Sequence, residues 1–407
     1  MKKSLQRKYA KLLVKQGVNI QKGQQLSIYA DVEVAPFVEI LAQEGYRAGA
    51  GKVVVEWTST ALTKLSYRHR SVKSLCDIPA WTVEKAKFES EILPAKIHII
   101  SQDPDGLAGV NQLKMQKANI ASAKLLKPYR DAMDNKYQWL VCSVPGKAWA
   151  KKMFPNDRTS VAVEKLWNAI LSTVMCDEET DCIAAWEEKN RNFYNKSQWL
   201  NQQNFDYLHY KSANGTDFKC ELMKESIWCG GGETTLGGVY FNPNMPTEEI
   251  FTTPKKGACR GRVVSTMPLS FRGTLIEDFY IDFKEGKAVA WGAKKGEEAL
   301  SKMISTDEGA AMLGELALVP TDSRIAQSGL LYYNTLFDEN ASCHLALGAG
   351  FSGCIKGFES KTLAELREMG MNDSMIHVDF MIGAEDMCIT GYKDGVATPI
   401  FVNGKWA

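Results

Sequence analysis

The chain has 407 residues, 24% charged and 45% apolar, with 49 Lys and Arg set against 48 Asp and Glu for a formal charge of +1. This length exceeds what one hydrophobic core ordinarily supports, so two domains are expected. The even charge balance argues against nucleic acid as the main ligand, and no apolar run reaches the roughly 18 residues of a membrane span.

In chain order, Leu5, Tyr9, Leu12 and Leu13 recur at helical spacing, with Ser4 available as N-cap and Gly17 as stop. Residues 25–30 read as a short strand and Val34 to Glu44 as an amphipathic helix ending before Gly45. Three further strands follow at Lys52 to Trp57, Ile97 to Ser101 and Gln138 to Val144, the last trailed by a helix from Gly146 to Lys152. Strands alternating with helices predict parallel pairing, hence an α/β amino-terminal domain of doubly wound type. No GxGxxG follows the first strand and no GxxxxGK[ST] occurs, so a nucleotide phosphate site is not indicated; Gly230-Gly231-Gly232 reads as a tight turn. Val161 to Trp199 is helical, with a packing stripe of Trp167, Ile170, Val174, Ile183, Trp186 and Phe193.

After Asn201 the pattern changes to short strand-like segments at 208–211, 218–223, 238–241, 261–267, 273–283 and 288–291, separated by turn residues. The second half is expected to be a mostly antiparallel β (α+β) metal-binding domain. The domains are set at 1–200 and 201–407, with the boundary between 190 and 210. Ten cysteines without a CxxC pair, behind a Met1-Lys2-Lys3 start that no apolar segment follows, read as reduced thiols of a cytoplasmic protein. Cys176 and Cys182 lie nearest each other, with no adjacent histidine to complete a zinc site.

Of five histidines, His98 in an apolar strand reads as a core residue, His69 lies among cations, and His209 is given no role. The other two differ. In Ile376-His377-Val378-Asp379-Phe380, His377 and Asp379 stand two apart and share one face of a strand. A polar face in so apolar a segment needs a cation or a mutual hydrogen bond to remove the cost of burial. Glu248 and Glu249 lie between Pro246 and Pro254, Glu315 heads the apolar run Leu316 to Val319, and Glu339 precedes His344 in Phe337 to His344. Glu249, Glu315, His344, His377 and Asp379 together form a mixed nitrogen and oxygen set suited to zinc, cobalt or manganese.

The segments Met245 to Pro254, Gly314 to Pro320, Phe337 to Gly348 and Ile376 to Gly383, in that order, resemble the thermophilic metallo-aminopeptidases of the aminopeptidase T and S type, and the similarity runs nearly end to end. The resemblance implies two divalent ions (Zn, Co, Mg or Mn) held by Glu249, Glu315, His344, His377 and Asp379, with Glu315 as the bridge. It implies peptide substrates with a free amino terminus and a closed homodimer. Glu248 and Glu339 are both open as the acid that carries the proton from water to the leaving amine. Where the family has a tyrosine seven residues after the first histidine, this chain has Phe351, which cannot donate a hydrogen bond to an oxyanion. The alternatives are another metal-assisted hydrolase, a weakly active relative that keeps its metals, and a non-enzymatic protein with a structural ion.

Overall fold

The computed structural model describes residues 1–271 and 274–407. The chain divides into two compact units, Met1–Glu187 with Gly232–Pro246, and Glu188–Gly231 with Thr247–Ala407. The single boundary expected at 200/201 falls inside the helix Cys182–Gln203; the chain passes between the units within that helix and again on either side of residues 232–246. That excursion has a backbone cause. Val141 N–H donates to Pro243 O (2.7 Å) and Met245 N–H to Val141 O (3.0 Å), so the segment extends a sheet edge of the first unit.

In the first unit four parallel strands lie in the order Lys52–Thr58, Gln25–Asp31, Ala95–Ile100, Trp139–Ser143. Leu26, Ile28, Ile97 and Leu140 are fully buried and share one face of the sheet, while alternate residues of Ala95–Ile100 are only half-buried on the other. The first helix, Lys3–Leu12, continues into a wider π turn at Leu13–Gly17. Ser4 lies inside this helix and does not cap it; Lys2 holds the N-cap position with no side-chain bond. Gly45 does not end the second helix, which runs Ala35–Ala48 and stops at Gly49 with φ +112°. At Gly45 a Cβ would come within 2.8 Å of Leu26 Cδ2, so glycine there permits close approach of helix and strand. The stretch from Val161 to Trp199 resolves into two helices, Thr159–Thr173 and Cys182–Gln203. His98 is half-buried, not in the core; it stacks on Tyr29 with ring centroids 4.6 Å apart, and desolvation pushes its pKa down to about 4.

The second unit contains two sheets. The larger runs Leu269–Phe271, Thr274–Lys284, Pro254–Val264, Asp217–Leu222, Tyr207–Lys211, Cys388–Lys393, Val396–Val402, Lys405–Trp406, with Lys287–Lys295 paired to Thr274–Lys284. The strand expected from Gly273 begins among the described residues at Thr274; Gly273 itself lies outside them. The smaller sheet is antiparallel, in the order His377–Met381, His344–Gly348, Leu313–Leu318, Ile250–Thr252, Cys229–Gly230. Leu313, Leu316, Leu318, Leu345, Leu347 and Phe380 from this sheet join Phe218, Phe279 and Phe283 of the larger one in a single core.

Alternation along these strands divides core from site. Leu316 and Leu318 face the core, leaving Glu315 and Ala317 on the opposite face; Leu345 and Leu347 do the same for His344 and Ala346; Phe380 does so for Asp379. Leu313 breaks the count. It is two residues from Glu315 and yet lies in the core with Leu316. The register supplies the reason: Leu313 pairs with Leu347 and Glu315 with the adjacent Ala346, so Gly314 is an extra, bulged residue. Such a bulge re-aims the side chains that follow it. A Cβ on Gly314 would stand 2.1 Å from Ala349 O. Gly314→Ala is therefore expected to destabilise the protein by about 1 to 3 kcal/mol in urea unfolding, the range for overpacked sites; a change below about 0.5 kcal/mol would contradict this account of the bulge.

Candidate metal centre

Three neighbouring strands bring their polar positions into a row. Glu315 pairs with Ala346 and Ala346 with Asp379, while His344 and His377 stand two residues away from Ala346 and Asp379 on the same face. The small side chains of Ala317, Ala346 and Gly348 leave room for the acids and imidazoles between them. Glu249, the residue before the strand Ile250–Thr252, completes the set from the fourth strand.

These five side chains converge. His344 Nε2 lies 3.1 Å from Glu249 Oε2, and His377 Nε2 lies 2.9 Å from Glu315 Oε2 and 3.2 Å from Asp379 Oδ1. Among the described residues, two groups could each hold a cation, Glu249, Glu315 and His344 in one and Glu315, His377 and Asp379 in the other, with one ligand atom per residue lying within 4.8 Å of the others. Glu315 belongs to both. Each imidazole is oriented by a backbone carbonyl, to which Nδ1–H must donate because the carbonyl can only accept: Ser342 O for His344 (3.2 Å) and Ala349 O for His377 (2.7 Å). Nε2 of both rings is thereby aimed at the carboxylates, the arrangement by which metal-bound histidines are held in one tautomer.

The electrostatics are those of crowded, buried acids. Glu249, Glu315 and His344 are 7%, 4% and 1% exposed. Burial, with the added repulsion of Glu249 and Asp379 and against the opposing His377 hydrogen bond, raises the Glu315 carboxyl to about 7. Burial alone would lower the two imidazoles, but bonds to the acids and their field outweigh it: His344 rises to about 10 and His377 to about 11. Asp379 moves down because the His377 hydrogen bond and the charges of both imidazoles overcome the burial that would raise it.

A divalent cation fits this set. The donors are carboxylate and imidazole without a thiolate, as hard and borderline cations prefer. Asp379 Oδ1 is buried beside the His377 imidazole at 3.2 Å, whose Nε2–H is also taken by Glu315 at 2.9 Å; one N–H set between two buried carboxylates leaves them short of positive charge.

The two open proton-carrying acids are placed differently. Glu248 is outside both cation-binding groups. Its carboxylate lies 2.9 Å from Lys189 Nζ and its N–H donates to Asn340 Oδ1 (2.6 Å). Glu339 is raised well above the ordinary carboxyl range by burial first, then by the charges of Asp379 and Glu249, which puts it in the field of the cluster. Phe351 is 40% exposed, with its ring 4.7 Å from that of His377 and 5.6 Å from that of Phe251. His69 is exposed at a helix end, and His209 pairs with Asp217 at 2.7 Å, so neither histidine enters the cluster. Sequence reasoning did not single out Lys189, Asn340 or Asp338. Lys189 carried a signal: it falls at the core-facing register of its helix, between buried Trp186 and Phe193, where a lysine needs a partner.

The whole chain, residues 2–406, matches the family model described as thermophilic metalloprotease (M29). The chain belongs to the M29 thermophilic metalloprotease family. It is 42% identical to aminopeptidase 2 of Geobacillus stearothermophilus over 402 residues, covering 98% of this chain and 97% of that one. It is 39% identical to aminopeptidase AmpS of Bacillus subtilis, with the same coverage. The structure of wild-type AmpT from Thermus thermophilus superposes with a TM-score of 0.91 at 37% identity, covering 100% of this chain and 99% of that one. As an M29 member the chain is an enzyme of peptide-bond hydrolysis with a divalent metal requirement.

A cation taken up by these side chains would have to displace the protons held on the imidazoles and on Glu315. With His344 and His377 raised to about 10 and 11 and Glu315 to about 7, all three bind protons around neutrality in the cation-free chain. Affinity for Zn²⁺ or Co²⁺ is thus expected to rise with pH between 6.5 and 8.5, by about tenfold per pH unit for each proton released. Calorimetry in buffers of different ionisation enthalpy measures the release; affinity independent of pH would contradict it.

Proposed function

We propose that this chain is a metal-dependent aminopeptidase, which releases amino-terminal residues from peptides using water activated between two divalent ions, Zn, Co, Mg or Mn. The observation that carries this reading is the membership of Glu315 in both cation-binding groups, the position a bridging carboxylate takes between two ions. Its relatives in Geobacillus stearothermophilus, Bacillus subtilis and Thermus thermophilus are aminopeptidases, which supports the exopeptidase direction. Cations held there would polarise the scissile carbonyl and increase the acidity of a water at the site.

The rest falls to the chain's own residues. Glu249 with His344, and His377 with Asp379, would hold the cations together with Glu315, and the carbonyls of Ser342 and Ala349 keep the imidazoles in the binding tautomer. Glu339 is the acid that takes the proton from water and returns it to the leaving amine, because it lines the same cavity as Asp379. Glu248 is held by Lys189 and positions the loop that carries Glu249. Phe351 packs beside His377 and offers the substrate an apolar surface where a tyrosine would offer a hydroxyl. Phe351 also favours a second reading, a metal-assisted hydrolase with weaker peptidase activity. A structural ion alone accords less well with a site whose His377 side chain is 25% exposed, since structural metal sites are closed.

The chain is further taken to be a cytoplasmic homodimer. The exposed apolar side chains Leu62, Trp81 and Leu113 of the first unit, 67%, 69% and 60% exposed, suit contact with a second copy, and ten free thiols suit a reducing compartment. Among the described residues no helix is long and apolar enough to cross a membrane.

Hydrolysis of aminoacyl-p-nitroanilides with added Co²⁺, Zn²⁺ or Mg²⁺, against an EDTA control, tests the activity. Glu315→Ala and His377→Ala are expected to lose turnover and bound metal together; full activity in both would refute the ligand assignment. Glu339→Gln is expected to lower kcat by about 10² to 10⁴ with metal content retained, whereas Glu248→Gln should cost less than about tenfold. The reverse order would exchange their roles. Phe351→Tyr should raise kcat if a hydroxyl at that place donates to the developing oxyanion. Light scattering at micromolar concentration should give twice the chain mass, and Trp81→Glu should reduce it.

A further inference from the structure

A cavity adjoins the candidate centre within the second unit. Glu339 and Asp379 stand on one side of it, and Leu269, Leu275, Leu331 and Met381 supply apolar walls. Its link to the centre is set by strand geometry. Met381 is two residues beyond Asp379 and four beyond His377 on one strand, so all three share a face. The apolar wall thus begins about 6.5 Å further along the strand than the Asp379 carboxylate, within reach of the side chain of a residue whose carbonyl sits at that carboxylate. Leu269 and Met381 are buried, while Leu275 and Leu331 are only half-buried.

A third acid lines the cavity, and its commitments decide which side chain fits. Asp338 spends one carboxylate oxygen on Tyr332 N–H (2.8 Å) and the other on Asn334 N–H (2.9 Å). Between these two grips Tyr333 is held at φ +55°, a left-handed conformation that an aromatic residue rarely adopts without restraint. Asp338 is therefore a clamp on the wall, with both oxygens already engaged by backbone N–H groups. An acidic side chain entering the cavity would meet three carboxylates, whereas an uncharged aliphatic one reaches the four apolar side chains without the cost of desolvating a charge.

We propose that this cavity receives the side chain of the residue being released, and that Leu269, Leu275, Leu331 and Met381 make an uncharged apolar residue of leucine or methionine size the preferred amino-terminal residue. The proposal rests on the reading of the neighbouring acids and imidazoles as the hydrolytic centre. Each buried methylene in such a pocket is worth about 10- to 200-fold in discrimination.

The test compares the metal-loaded full chain on leucyl-, alanyl-, lysyl- and glutamyl-p-nitroanilide, with binding of free leucine and alanine measured by calorimetry. For the unmodified protein kcat/KM should be highest for leucyl, at least tenfold above alanyl, and lowest for glutamyl. Leu331→Trp, which narrows the cavity, should reduce the leucyl to alanyl ratio at least tenfold. Leu275→Glu should reduce leucyl turnover and raise lysyl turnover. Preference for lysyl or glutamyl in the unmodified protein, or a leucyl to alanyl ratio that shifts less than twofold in both variants, overturns the pocket and leaves the centre standing. If no substrate is turned over while leucine still binds more tightly than alanine, and Leu331→Trp removes that difference, the pocket stands and the hydrolytic reading falls.

Discussion

Three carboxylates on one nearly dry face of a sheet repel one another, and nothing apolar can relieve them. Glu249, Glu315 and Asp379 occupy this position, with Glu339 in their field, and the fold of the second unit is arranged around what neutralises them. In the cation-free chain the two imidazoles do so by holding protons well into the alkaline range. Cations would do it better, because a divalent charge among carboxylate oxygens and imidazole nitrogens satisfies several of them at once. The same crowding therefore raises the Glu315 pKa, leaves Glu315 and Asp379 sharing one His377 N–H, and favours a multiply charged ligand.

Holding such a cluster requires a rigid support, which the sheet supplies from its other face. Leu316, Leu345, Leu347 and Phe380 are fully or almost fully buried and fix the strands whose alternate residues carry the acids and imidazoles. Around the site the support is polar. Asn340, fully buried, accepts from Glu248 N–H and donates to Leu336 O, and Ser323 Oγ donates to Asn340 O. Core packing sets the strand positions, and this small network sets the loops between them.

Much of this was legible in the chain. His377 and Asp379 declare their shared face through simple alternation, and the acids beside apolar runs mark themselves as needing partners. The parallel order of the first unit follows from strands separated by helices. What stayed hidden depends on contacts between segments far apart in sequence. Gly45 looks like a helix stop until Leu26 is seen against it. Residues 232–246 carry no local mark of pairing with Val141. Glu248 and Glu339 are equivalent as letters, and only Lys189, which lies some sixty residues before Glu248 in the helix Cys182–Gln203, tells them apart.

The bulge at Gly314 bears on how chains of this design can vary in length. Parity along the Glu315 strand is reset at one glycine, and the loss of that extra residue would leave Leu313, Glu315 and Leu316 in plain alternation with their faces unchanged. A residue gained or lost between Glu315 and Leu318 has no such outlet and would exchange the core and cation faces. Indels among related sequences should consequently gather in the half-buried and exposed stretches of the first unit, such as residues 103–111, and leave the span from Glu315 to Leu318 at constant length.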